Sequence, residues 1–259
     1  MINSRFSFLM TITLMMMCSM ALADNPPGKL LYPSRNLDFE EGTIEFHYRF
    51  AKDIAAEFLP TGKNYLGIAN FFSIRGADGG FSLGYFGGAS MQPKAGHYVG
   101  SSSTAYNIRG GILSGKHVVP KGTWTHVAIV WAGNSIECRV NGKRTGGREF
   151  NKSVRYVYGS ISDRPLAFGG QYSNKSAFVI DNLRVSKIAR SSDELTLHPE
   201  NRKADVYTTL WDTFETIEIQ EDQPVASRPD VMAFGETAAI VSRNCKLAEG
   251  VEGRGLFIP

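Results

Sequence analysis

Cysteine, histidine and long apolar stretches are all scarce in this 259-residue chain. Its 5 histidines, His47, His97, His117, His126 and His198, follow no metal-ligand spacing. No Gly-x-Ser-x-Gly elbow exists to raise a nucleophilic serine, and the glycines of "GGFSLGYFGG" precede no helix that would make them a phosphate cradle. Charge of one sign is lacking as well. With 28 basic and 25 acidic residues the formal charge is +3, which is no argument for a nucleic-acid partner. Past the first 23 residues no segment is long and apolar enough to cross a bilayer.

The beginning of the chain is different. Arg5 is followed by an apolar run from Phe6 to Leu22, then Ala21-Leu22-Ala23 before Asp24-Asn25-Pro26-Pro27. A basic start, an apolar centre and small residues at the cut make residues 1–23 a secretory signal peptide, with cleavage expected after Ala23. The product, 24–259, is expected to be secreted, extracellular or periplasmic, with no membrane span left. Losing Arg5 takes the formal charge from +3 to +2. Cys138 and Cys245 are then the only cysteines, compatible with one disulfide in an oxidising compartment or with two buried thiols.

Short runs of strand character recur: Gly42 to Phe50, Leu66 to Ile74, Gly80 to Phe86, Ala105 to Ile108, Thr123 to Trp131, Ile136 to Val140 and Ala177 to Val185. Gly, Asn, Ser and Pro separate them, and helical periodicity is scarce. The pattern predicts an all-β fold, a two-sheet antiparallel β-sandwich. In "GTWTHVAIVWAGNSIECRVNGKRT", Thr125, Val127, Ile129 and Trp131 share one face and Trp124, His126, Ala128 and Val130 the other. Apolar side chains on both faces mark an inner strand. Its neighbour keeps Ile136, Cys138 and Val140 on one face only, and Asn141-Gly142 supplies the positive φ of a type I′ turn. Ser191 and Glu194 have capping-box spacing, which predicts one short helix near 191–197 that seats Leu195 and Leu197 on the sandwich.

Three segments resemble the LamG-like jelly rolls of the concanavalin A-like lectin and glucanase superfamily. "LLYPSRNLDFEEGTIEFHYRF" resembles the opening segment, "GTWTHVAIVWAGNSIECRVNGK" the Trp-x-His strand with its Val-Asn-Gly turn, and "FVIDNLRVSKIARSSDEL" the closing strand and helix. The resemblance assigns residues 24–200 to the jelly-roll core. The tail, 201–259, contains "TTLWDTFE" and "VEGRGLFIP", which look like the usual beginning of such a domain. It is expected to complete the same sandwich by circular permutation; the alternative is the truncated start of a tandem copy. A Cys138 to Cys245 disulfide would staple tail to core.

Glucanases of the superfamily resemble one another in a Glu-x-Asp-x-(x)-Glu strand whose carboxylates share a face. Glu45-Phe46-His47-Tyr48-Arg49 offers one acid, so no catalytic residues are assigned. His126, matching the family strand, is expected to be structural. The resemblance also implies a rim site for Ca²⁺ on hard oxygen ligands, with Asp181, Asn182 and Glu215 as candidates. Tyr85, Phe86, Tyr98 and Tyr106 around glycine-rich turns are candidate sugar-stacking residues. Lys143, Arg144 and Arg148, continued by Lys152 and Arg155, form a basic loop suited to an acidic polysaccharide. The implied function is a non-catalytic carbohydrate- or matrix-binding module; the alternative is a structural or protein-interaction domain.

Overall fold

The computed structural model describes residues 29–51, 67–87, 96–103, 108–114, 119–161, 163–169, 178–197, 203–234, 239–241 and 244–259. In chain order the strands begin with β1 (Lys29–Tyr32), β2 (Glu41–Phe50), β3 (Gly67–Arg75), β4 (Gly79–Gly87), β5 (Gly96–Ser103) and β6 (Ile108–Ser114). Then come β7 (Thr125–Ala132), β8 (Ser135–Val140), β9 (Lys143–Glu149), β10 (Leu166–Gly169) and β11 (Phe178–Ser186). The tail adds β12 (Thr208–Asp212), β13 (Ile217–Gln220), β14 (Gln223–Ser227), β15 (Val231–Met232), β16 (Ala239–Val241), β17 (Lys246–Glu249) and β18 (Arg254–Ile258).

They make two antiparallel sheets packed as a sandwich. The first has the order β13-β14-β16-β1-β10-β3-β4-β5-β6, and the second β15-β12-β11-β2-β7-β8-β9. Tail strands enter both: β16 pairs with β1, while β12 and β18 share one side of β11. β12 takes residues 183–186 of β11 and β18 takes 178–180, and β11 bulges at Asp181 to Arg184 between them.

Side chains alternate as the pleat requires. Ile44, Phe46, Tyr48 and Phe50 of β2, with Val127, Ile129 and Trp131 of β7, point into the core. Phe46 lies edge-on to Phe71, Phe72 and Phe168, an arrangement of rings that suits their quadrupoles. Gly42 lies opposite Trp131, and a Cβ there would run into the indole ring. Trp131 Nε1 donates to Asp38 O at 2.8 Å, which satisfies its polar edge. Asn141 and Gly142 have φ of 47° and 76°, as the hairpin turn demands.

Three sequence expectations change here. Residues 192–194 form a single 3-10 turn; its cap is present, with Glu194 Oε2 accepting from Ser191 N at 2.7 Å. The α-helix is elsewhere, α1 (Val154–Tyr158), capped by Ser153 Oγ, which accepts from Tyr156 N. No disulfide joins Cys138 and Cys245. Cys138 is buried on β8 of the second sheet, whereas the Cys245 thiol is turned to the first sheet, 3.8 Å from Lys29 O.

One carboxylate joins the sheets through the core. Asp212, at the end of β12, accepts from Tyr32 Oη at 2.7 Å, Ser227 Oγ at 2.9 Å and Phe214 N at 2.8 Å. Burial dominates and pushes its carboxyl up to about 6, against the lowering hydrogen bonds from Ser227, Tyr32 and Phe214. The folded state therefore holds a proton that the unfolded chain has released above about 3.8. Stability from this group falls as pH rises from about 4 to about 6, by roughly 3 kcal/mol. Asp212→Asn keeps an acceptor for Ser227 and Phe214 N, so its stability relative to the parent is expected to climb across that window. Denaturant melts of both proteins at pH 4 and pH 7 check this, and a difference independent of pH would refute it.

Candidate functional site

The two outer faces of the sandwich are built differently. On the second sheet, the residues of β2, β7 and β11 that point away from the core include, beside the apolar Ala128 and Val130, six that are polar and nonetheless buried: Thr43, Glu45, His47, His126, Arg184 and Ser186. The segment 187–197, which follows β11, crosses over them. Thr43 Oγ1 donates to Ile188 O at 2.8 Å and accepts from Arg190 N at 2.9 Å. His47 Nε2 lies 3.2 Å from Leu197 O.

Glu45 is the centre of this layer. Its Oε1 accepts from Arg184 Nε at 2.6 Å, and Arg184 Nη2 also reaches it. Its Oε2 accepts from His126 Nε2 at 2.9 Å and from Thr196 N and Oγ1 at 2.9 and 3.0 Å. Burial alone would raise the carboxyl. His126, Arg184 and the Thr196 amide outweigh burial and hold it at about 2. At 1% exposure Glu45 has every lone pair engaged and no path to a substrate, so this is a structural latch for the crossing segment.

Among the described residues no segment crosses the outer face of the first sheet. Register places Ala226, Ile240, Leu31, Ala167, Ser73, Ser82, Gly100 and Gly111 in one cross-strand row, running from β14 to β6. Ala226, Leu31, Ala167, Ser73 and Ser82 are half-buried, and Ile240 is 63% exposed. At the usual strand spacing the row is roughly 34 Å long. Apart from Ile240 and Leu31 its residues are Ala, Ser or Gly, so the floor is shallow and even.

The candidates named from sequence fall in several places. Tyr85 and Phe86 lie in β4 and Tyr98 in β5, because the glycine-rich stretch is extended rather than turned. Tyr98 is paired with Gly84, in the sheet that carries this row. Tyr106 lies outside the described residues. Lys143, Arg144 and Arg148 belong to β9, the edge of the second sheet, rather than to a loop, since the tight Asn141-Gly142 turn carries the chain straight back along β8. Arg144 Nε pairs with Glu137 at 3.0 Å and the Arg148 guanidinium sits 5.2 Å from the Phe150 ring centroid.

Asp181 and Glu215 meet at one turn, 250–254. Asp181 Oδ2 accepts from Val251 N at 2.7 Å, and Glu215 Oε1 from Arg254 N at 2.7 Å. Both carboxylates thus serve backbone amides between β17 and β18. Asn182, at φ 52°, forms the β11 bulge beside them. Among the described residues no group of three His, Cys, Asp or Glu is gathered as a metal would need. Sequence reasoning weighed Glu45 only as a lone catalytic acid and passed over Arg184. The signal was a charged residue at a core-like position on each of two apolar strands.

A family model, Laminin_G_3 of the Concanavalin A-like lectin/glucanases superfamily, matches residues 40–196. The chain belongs to this superfamily. Among solved structures, this superfamily member is similar to a candidate carbohydrate-binding protein of Bacteroides ovatus, with TM-score 0.51 and 14% identity. The alignment covers 83% of this chain and 55% of that one, so the chain spans about half of its length. A heptameric SAP-like pentraxin of Limulus polyphemus aligns over 92% of this chain and 90% of its own, with TM-score 0.49 and 11% identity. Domain 4 of a Geobacillus stearothermophilus arabinanase, solved with arabinotriose, aligns over 63% and 68%, with TM-score 0.40 and 15% identity. These likenesses concern the fold. A search of curated proteins returns no match.

Proposed function

We propose that the chain is a secreted, non-catalytic carbohydrate- or matrix-binding module whose glycan lies along the outer face of the first sheet. Export rests on the apolar run after Arg5. The observation that carries the binding reading is the contrast between faces. The crossing segment covers the polar layer of one sheet, whereas among the described residues no segment crosses the other, whose row from Ala226 to Ser82 is half-buried to exposed. Superfamily membership supports carbohydrate as the ligand class. In the same reading residues 201–259 complete the sandwich by circular permutation, since β12, β16 and β18 are hydrogen-bonded to core strands.

A glycan array probed with the purified 24–259 chain, in calcium and in EDTA, tests this. The expected result is reproducible binding that Ser82→Arg abolishes, because a long charged side chain would stand in the middle of the row. The triple change of Lys143, Arg144 and Arg148 to alanine is expected to leave it intact. If binding follows the β9 triple variant instead, an acidic polysaccharide on that edge is the better reading. Silence from a folded sample refutes a glycan on the sheet face and favours a protein partner there, for which the exposed Ile219 and Ile240 at the β13–β16 end offer apolar contact.

A further inference from the structure

Beside the crossing segment the surface dips into a hollow of about 590 Å³, within the range of small-ligand sites. Its walls include Arg184, Arg190, Asp193, Thr196, Lys203 and Asp205. Two of these are unusual as lining residues. Arg184 and Arg190 are charged yet only 4% and 3% exposed, and each is held on one side by fixed partners. Arg184 commits Nε and Nη2 to Glu45 and to Glu194 O. Arg190 commits Nε to Ser186 Oγ at 2.8 Å and Nη2 to both oxygens of Asp205, at 2.8 and 2.9 Å.

The remaining Nη1 amino group of each arginine makes no hydrogen bond within the described residues, and neither is among the atoms sealed from solvent without a partner. Each therefore brings to the wall of the hollow a fixed guanidinium with one nitrogen not committed to those partners. Rigid donors on immobilised side chains lose little entropy when a ligand arrives. Across the hollow the carboxylate of Asp193 is exposed and accepts only, and the Lys203 ammonium only donates.

Charge decides the class of ligand. Arg184, Arg190 and Lys203 are balanced by Asp193, Glu194 and Asp205, and buried Glu45 adds another negative charge behind Arg184. The field is not one that concentrates anions. Donors and acceptors set side by side, with no excess of positive charge, suit an uncharged group that both gives and takes hydrogen bonds. We propose that this hollow is a second ligand site, separate from the sheet face, which takes a neutral, hydroxyl-rich ring of the size of one sugar residue. Only the choice of a sugar as that ring rests on the carbohydrate reading; the site itself rests on its own geometry.

The test is residue-resolved NMR on the ¹⁵N-labelled 24–259 chain, with glucose, galactose and N-acetylglucosamine as neutral probes and acetate and glucuronate as anionic ones. At least one neutral sugar is expected to shift the amides of 192–197 and Lys203, in the parent and equally in Ser82→Arg. Asp193→Ala combined with Lys203→Ala, both exposed and outside the buried layer, is expected to weaken that binding roughly tenfold. The melting temperature of the double variant should stay that of the parent, which separates lost contacts from lost fold. No shift with any neutral sugar, a tighter response to acetate or glucuronate, or indifference to the double variant would each overturn the proposal. A silent array with a responding hollow would remove the sheet-face reading alone, and the reverse would remove the hollow alone.

Discussion

Glu45→Ala is expected to cost about 3–5 kcal/mol, because it strands Arg184 and His126 as uncompensated buried groups. For a domain of this size that is a fall in Tm on the order of 10 °C. The loss is cooperative, since Thr196 N and Oγ1 also bond to Glu45 and the crossing segment would lose its anchor. The parent's own pH profile carries the same signature. Glu45 is held at about 2 in the folded state and 4.5 outside it, so its contribution is complete above about 4.5 and disappears as pH falls toward 2. The variant should lack that acid limb. Thermal melts at pH 7 and pH 3 check both statements, and a shift of Tm below about 2 °C at pH 7 would mean the layer adds little.

Deleting residues 204–259 is expected to abolish cooperative unfolding. The deletion removes β12 and β18 from β11 and β16 from β1, baring a strand edge in each sheet. It also removes Leu210, Phe214, Leu256 and Ile258 from the core, all fully buried, and Asp212 with its bond to Tyr32. Each such side chain contributes about 1.5–3 kcal/mol by burial, against a total stability of about 5–15 kcal/mol for a domain. Circular dichroism and a denaturant titration of 24–203 read the outcome. Adding the 204–259 peptide in trans should restore a transition. A truncated protein that melts cooperatively by itself would show the tail to be a separate unit and the permutation reading to be mistaken.

What was legible in the sequence was what neighbours dictate to one another. Alternation on β7 and β8, the Asn141-Gly142 turn and the Ser191 cap depend on residues at most a few positions apart, and all are present. The latch was illegible because its partners are far apart in the chain. Glu45 and His126 are separated by 81 positions and Glu45 and Arg184 by 139, and only the register of β2 with β7 and β11 brings them together. α1 escaped notice since five residues hold too little periodicity to see, and its Ser153 cap sits behind a basic stretch. Asp181 illustrates a different limit. A carboxylate within a strand reads the same whether its oxygens face an ion or, as with Oδ2 here, the amides of a turn.

The row of small residues was hidden for a similar reason. Ser73, Ser82, Gly100 and Gly111 are unremarked in four separate strands, and become a surface only when those strands are laid side by side.

The basic residues of β9 have a consequence for how molecules of this protein meet one another. An edge strand offers unpaired amides and carbonyls to any passing strand. On β9 that edge carries Lys143 and Arg144, both exposed, with Arg148 near its far end. Two copies approaching edge to edge would bring like charges together before a single backbone bond could form. The charge on β9 is thus expected to oppose edge-to-edge pairing of two copies at the last strand of the second sheet.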